Sequence, residues 1–176
     1  NPDISEIWRW LISADPQDVL DLPDVPAGSG VPSGIPFGAA LWMRMWFNKG
    51  SASPKRTMTA FRRGSPCGDW GPGVRKRTAE QLSQIRGWRS ICASYEDLPN
   101  GRATWFVDPP YQGMGKHYPF GASRIDFSDL GRWCRDREGR VIVCEGPGAA
   151  WLDFSSLGEI KAMRGRCSEF VWRGGE

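Results

Sequence analysis

The apolar run Ala103-Thr104-Trp105-Phe106-Val107 leads directly into Asp108-Pro109-Pro110-Tyr111. An apolar run of that length between the Asn100-Gly101 turn and an Asp-Pro-Pro break predicts a strand, and the tetrapeptide then occupies its mouth, where open α/β sheets place their reactive groups. A carboxylate, a carbonyl held outward by two prolines and an aromatic face suit a planar amino group. The plainer alternative is an Asp-Pro-Pro turn leaving a strand.

The surrounding pattern sets that strand in a mixed domain. Asn1-Pro2 predicts an N-cap with proline at the first helical position, and Ile4, Ile7, Trp8, Leu11 and Ile12 follow at helical spacing. Residues 15–36 read as a loop, and the apolar density from Phe37 to Phe47 predicts a mostly buried helix. Residues 48–77 show no period and many breakers, which predicts a long loop. Thr78 is the expected cap of a helix carrying Leu82 and Ile85, and Ser90–Ala93 reads as a short strand. Asn100-Gly101 predicts a turn before the strand at 103–107. Ser128 is the expected cap of a helix holding Leu130, Trp133 and Cys134. The all-apolar Val141–Cys144 predicts a strand buried on both faces, as in a parallel sheet. Runs 158–163 and 167–172 predict a terminal hairpin. A β, α, β, α, hairpin order describes half of a doubly wound α/β sheet.

At 176 residues the chain fits one domain, and 40% hydrophobic content with ten Trp argues for a folded core. The net charge of +3 conceals an uneven distribution. Residues 1–43 carry six acids against Arg9, whereas residues 44–89 carry eleven bases against Asp69 and Glu80. A basic segment with Phe61 and Trp70, rich in Gly, Ser and Pro, suits a phosphate backbone; the alternative is a solvated loop.

Five widely spaced cysteines and a single histidine, with no CxxC pair, argue against a zinc site or a disulfide framework, so no metal is expected. Cys92 and Cys144, inside apolar runs, are expected to be buried hydrophobes in a reducing, cytoplasmic setting. No signal peptide is expected, and no apolar stretch is long enough to span a bilayer.

The chemistry follows from the amino group. Its lone pair is delocalised into the ring, so two acceptors on its two N–H bonds, the Asp108 carboxylate and the Pro109 carbonyl, would draw the nitrogen toward tetrahedral geometry as it attacks. Tyr111 would stack on the ring. A base inside a duplex cannot reach such a pocket, so it would have to be flipped out.

These residues resemble the Dam-type (D12 class) DNA N6-adenine methyltransferases, and the resemblance runs over most of the chain. Asn1-Pro2-Asp3-Ile4 with Trp8 looks like the helix after the family's second strand. Ala40-Leu41-Trp42 through Phe47-Asn48-Lys49-Gly50 looks like the helix leading to the target-recognition segment. Cys92–Asp97 is similar to the third motif, Val141–Gly146 with Trp151-Leu152 to the next strand and its turn, and Ser168-Glu169-Phe170-Val171 to a late strand carrying a Glu.

The resemblance implies a Rossmann-like sheet that uses S-adenosyl-L-methionine on double-stranded DNA. It makes Asp108, Pro109, Pro110 and Tyr111 the catalytic group, with Ser94, Tyr95 and Asp108 beside the methyl donor. Lys49, Lys55, Arg56, Arg62, Arg63, Arg75, Lys76 and Arg77 would touch DNA. Residues 1–47 and 78–176 would form the catalytic domain and residues 48–77 an inserted recognition segment. The family's first strand, its Phe-x-Gly-x-Gly loop and the acid that holds the donor's ribose have no counterpart here, and Gly28-Ser29-Gly30 does not replace them. The expectation is an N-terminally truncated enzyme whose donor site is incomplete without a further segment or a complementing subunit.

Other readings stand beside this one: a catalytically inactive nucleic-acid-binding remnant, one part of a split enzyme, or an amino-methyltransferase acting on RNA or protein. Pro66-Cys67 as a cytosine-5 nucleophile is disfavoured by its aperiodic context. Glu145 reads either as an acid or base at a strand end or as a surface turn, and His117 as exposed.

Overall fold

A computed structural model describes residues 1–47, 53–59, 70–113, 118, 120–162 and 165–175, which form two compact units, Asn1–Cys92 and Ala93–Glu176. The first is helical: α1 (Pro2–Ser13), α2 (Pro16–Leu20), α3 (Phe37–Met45) and α4 (Pro72–Gln81), continued by a 3₁₀ turn at Leu82–Ile85. The second holds β1 (Ala103–Val107), α5 (Phe127–Arg135), β2 (Gly139–Glu145), β3 (Ser155–Ala162) and β4 (Gly165–Gly174). The described residues therefore combine five α-helices with one four-stranded, mostly antiparallel sheet.

In the first unit the Asn1 side chain accepts the Asp3 amide at 3.1 Å, satisfying a donor that the helix start would leave unpaired. Ile7 and Leu11 bury one stripe of α1 among Leu41, Trp42 and Met43 of α3. The close approach of α1 and α3 depends on Gly38, where a Cβ would sit 2.5 Å from the Trp10 Cβ and 2.8 Å from the Glu6 carbonyl. Arg86 donates to the Ile12 carbonyl at 2.6 Å and to the Ala14 carbonyl, closing the C-terminal end of α1. Trp70 packs edge-on against Trp42 and donates its indole N–H to the Pro23 carbonyl at 2.8 Å.

Four expectations for this unit are corrected. The loop read at 15–36 contains α2, whose Asp18 carboxylate accepts the Asp15 amide at 2.9 Å. The long loop read at 48–77 ends at Pro72, because a proline at the first helical position lacks only an N–H that would be orphaned anyway. Thr78 is consequently inside α4 and not at its cap, and Leu82 and Ile85 lie in the 3₁₀ turn. Ser90–Ala93 is not a strand: Ile91 and Cys92 are exposed, and the Ser90 hydroxyl bonds Ser5 instead, with its Oγ 3.0 Å from the Ser5 Oγ.

In the second unit the strand order is β1-β2-β4-β3. β1 and β2 are parallel, joined through α5, with Ala103 opposite Gly139 and Val107 opposite Val143. β4 runs antiparallel to both β2 and β3, the latter pair being the expected hairpin. The Asn100 side chain accepts the Glu138 amide at 3.0 Å and donates to the Asp136 carbonyl at 2.9 Å, so the turn before β1 is tied to the turn before β2. Gly139 adopts φ +88°, and a Cβ there would lie 2.3 Å from the Ala103 carbonyl oxygen. α5 is capped by Asp126, which accepts the Asp129 amide at 2.9 Å, and not by Ser128.

Phe127, Leu130 and Cys134 of α5 pack with Val141 and Val143 of β2 and with Leu152. Only one face of β2 is fully buried: Val141, Val143 and Glu145 alternate with half-buried Ile142 and Cys144. This corrects the reading of β2 as buried on both faces, since a mostly antiparallel sheet can cover one face more fully than the other. The two thiols expected to be core hydrophobes are likewise exposed (Cys92) and half-buried (Cys144), while Cys134 is the buried one, its thiol pushed up to about 11 by burial. Cys67 and the side chain of Cys167 lie outside the described residues.

Candidate functional site

Parallel pairing of β1 and β2 brings their carboxyl ends together, so Asp108 and Glu145 emerge at the same sheet edge. β4 contributes from its other direction: Phe170 pairs with Glu145, which places Glu169 just past the end of β2. Three carboxylates from three strands thus gather around the Asp108–Tyr111 loop.

Two of them hold the loop. Glu145, 0% exposed, receives the Gln112 amide at 3.1 and 3.2 Å, the Gly146 amide at 2.7 Å and the Trp151 indole N–H at 3.0 Å. A buried carboxylate is tolerated when its lone pairs are taken up by donors, and these are all N–H groups. Tyr111 donates its hydroxyl to Glu169 Oε2 at 2.9 Å. Its ring lies against Gly146, where a Cβ would come within 3.1 Å of Tyr111 Cδ2.

Electrostatics follow the geometry. Desolvation first, then the charges of Glu169 and Glu145, raise Asp108 above the ordinary carboxylate value. Burial and the bond to Glu169 push the Tyr111 phenol well above its usual value, so it stays a neutral donor. Cys144 is also raised, by burial and by the charges of Asp108 and Glu169. Beside the loop, Gln112, Ala122, Ser123 and Phe127 line a cleft of about 400 Å³, within the size range of small-ligand sites.

The residues expected at the methyl donor are placed differently. Ser94 is exposed, with its amide on Asp97 Oδ2 at 3.3 Å. Tyr95 gives its hydroxyl to Asp129 of α5 at 3.0 Å and sets its ring edge-on against Trp133, and neither contact joins it to the tetrapeptide. Burial and Asp129 raise the Tyr95 phenol well above its usual value. The contacts of Ser94 and Tyr95 are thus with Asp97, Asp129 and Trp133, and not with the Asp108–Tyr111 loop.

Among the basic residues, Lys55, Arg56, Lys76 and Arg77 are exposed, Lys76 lying 3.9 Å from Glu80. Arg75 differs. Its side chain is 11% exposed, pairs with Asp24 at 2.6 Å and lies over the Trp70 ring, so it belongs to the packing of the first unit. Lys49, Arg62, Arg63 and His117 lie outside the described residues.

Glu145 is no surface turn, which removes one of its two readings. The signal was strand parity: Glu145 stands two and four residues beyond Val143 and Val141 and so shares their buried face. The holding roles of Gln112, Gly146 and Trp151 had no sequence signal, because two act through backbone amides and the third through an indole N–H that a turn six residues long folds back onto Glu145. Comparison with family models, with curated protein sequences and with solved structures returns no match.

Proposed function

We propose that the second unit carries the amino-group half of a DNA adenine-N6 methyltransferase site, and that exposed bases of the first unit contact the DNA backbone. The observation that carries this reading is the Asp108–Tyr111 loop at the carboxyl end of β1, pinned from β2 by Glu145 and from β4 by Glu169.

In this reading the Asp108 carboxylate and the Pro109 carbonyl accept the two N–H bonds of a flipped adenine. Because the loop is already held, little reorganisation is needed when charge develops on the nitrogen. Proline at 109 and 110 fixes φ and removes competing donors. Tyr111 keeps its hydroxyl on Glu169 and offers ring surface to the base; aromatic stacking is worth about 1–3 kcal/mol per base. Once the nitrogen has been alkylated its proton becomes acidic, and Asp108, with its raised proton affinity, is placed to take it. S-adenosylmethionine would supply the methyl group. In this reading a further segment or a complementing subunit would complete its pocket.

The test is direct. The chain is incubated with mixed-sequence duplex DNA and S-adenosylmethionine, and digested DNA is analysed for N6-methyladenine, with calorimetric titration of donor and DNA in parallel. Methylation lost in Asp108→Ala supports the reading. DNA binding without donor heat supports the split form, and failure to bind either ligand overturns both.

A further inference from the structure

We propose that Glu145 is the positioning residue of this site: through the Gln112 amide its buried carboxylate fixes where Asp108 and Pro109 present their acceptors. The proposal rests on the reading that those acceptors take a planar amino group.

The loop is tied at both ends. Val107 is the last residue of β1 paired with β2, and Gln112, the first residue after the tetrapeptide, is held by both oxygens of Glu145. Only four residues lie between these anchors, and two of them are prolines with fixed φ. Few torsions are left free. The other side of the clamp is rigid too, because the Gly146 amide at 2.7 Å and the Trp151 indole at 3.0 Å orient the same carboxylate. A Val or Leu at 145 would continue the apolar face of Val141 and Val143, but it would orphan these N–H groups. A buried acid at this parity is therefore explained by the loop it holds.

Charge adds a second effect. Among the described residues, the titratable groups facing Asp108 are Glu145 and Cys144 from β2, Glu169 from β4 and Tyr111 from its own loop. Removing the Glu145 charge must ease ionisation of Asp108, which a purely mechanical contact would not do.

The experiment is Glu145→Gln in the full chain, followed by NMR. Amide exchange at Gln112 is expected to speed up about tenfold or more as a charge-assisted bond is lost. The Asp108 titration midpoint is expected to fall toward the ordinary carboxylate value, and adenine methylation by the complemented enzyme to drop about tenfold or more. Unchanged exchange at Gln112 overturns the clamp. A freed Gln112 with an unmoved Asp108 midpoint reduces Glu145 to a stabilising residue and also overturns it. Both shifts in a protein whose wild type neither binds nor methylates adenine uphold the clamp and sink the methyltransferase reading instead. Should Glu145→Gln fail to fold, Trp151→Phe keeps an aromatic ring but removes one donor from Glu145. Exchange at Gln112 should then rise several-fold, and an unaltered rate overturns the proposal.

Discussion

Tyr111 and Glu169 lie 58 positions apart in sequence and meet at 2.9 Å, phenol to carboxylate, joining the loop after β1 to β4. Hydrogen bonds to a charged partner contribute more than neutral ones, and this one is half-buried. Tyr111→Phe should therefore cost about 1–2 kcal/mol in denaturant unfolding. Loss of the bond should appear in the same variant as a changed environment at Glu169 in carboxyl NMR. An unfolding midpoint identical to wild type would show that the contact holds nothing in place.

Asp108 gives a pH dependence with a definite sign. Its folded-state pKa is raised, so between the ordinary carboxylate value and the raised one the folded chain binds more protons than the unfolded chain. Stability is then greatest below the ordinary value, falls as pH rises through that window, and is level above it. Asp108→Asn removes this loss. Unfolding measured from acid to neutral pH should show the variant gaining on wild type across the window, and parallel curves would contradict the assignment.

Gly139 should be intolerant of any side chain. Its φ of +88° and the 2.3 Å approach of a Cβ to the Ala103 carbonyl both act at the first pair of the β1–β2 ladder. Gly139→Ala is expected to destabilise by roughly 2 kcal/mol or more, read from thermal or denaturant unfolding. A loss below a few tenths would mean that the two strand starts can separate freely.

The three bases at 75–77 should behave differently. Lys76 and Arg77 are exposed on α4, and replacing both with Ala should lower the slope of log K against log salt by about 2 if each meets a phosphate. Arg75→Ala should leave that slope alone and lower the melting temperature, because it removes the bond to Asp24 and the cover over Trp70. A slope change in Arg75→Ala equal to that of Lys76→Ala would reverse the distinction.

Elements specified by neighbours in sequence were the legible ones. Asn1-Pro2 announces α1, the apolar density at 37–47 announces α3, and two runs with a short break announce the β3–β4 hairpin. Ser90–Ala93 failed because an apolar run becomes a strand only where another strand is present to pair with it; Ser5 was there instead. The start of α4 was hidden by Pro72 and Gly73, residues that break a helix interior yet are accommodated at its beginning. For the candidate site, the position of Asp108–Tyr111 at a strand mouth could be read locally. The carboxylates that hold it come from β2 and β4, and their convergence is a property of strand order alone.

That convergence also sets a timetable for assembly. The β3–β4 hairpin closes over a short stretch, but joining Tyr111 to Glu169 requires a long loop to close first, and contacts of that separation form slowly. On the ribosome, β1 and its loop emerge well before β4. A nascent chain therefore exposes Asp108 and Tyr111 without their final geometry, and the site matures only when Glu169 has been synthesised and the hairpin has docked.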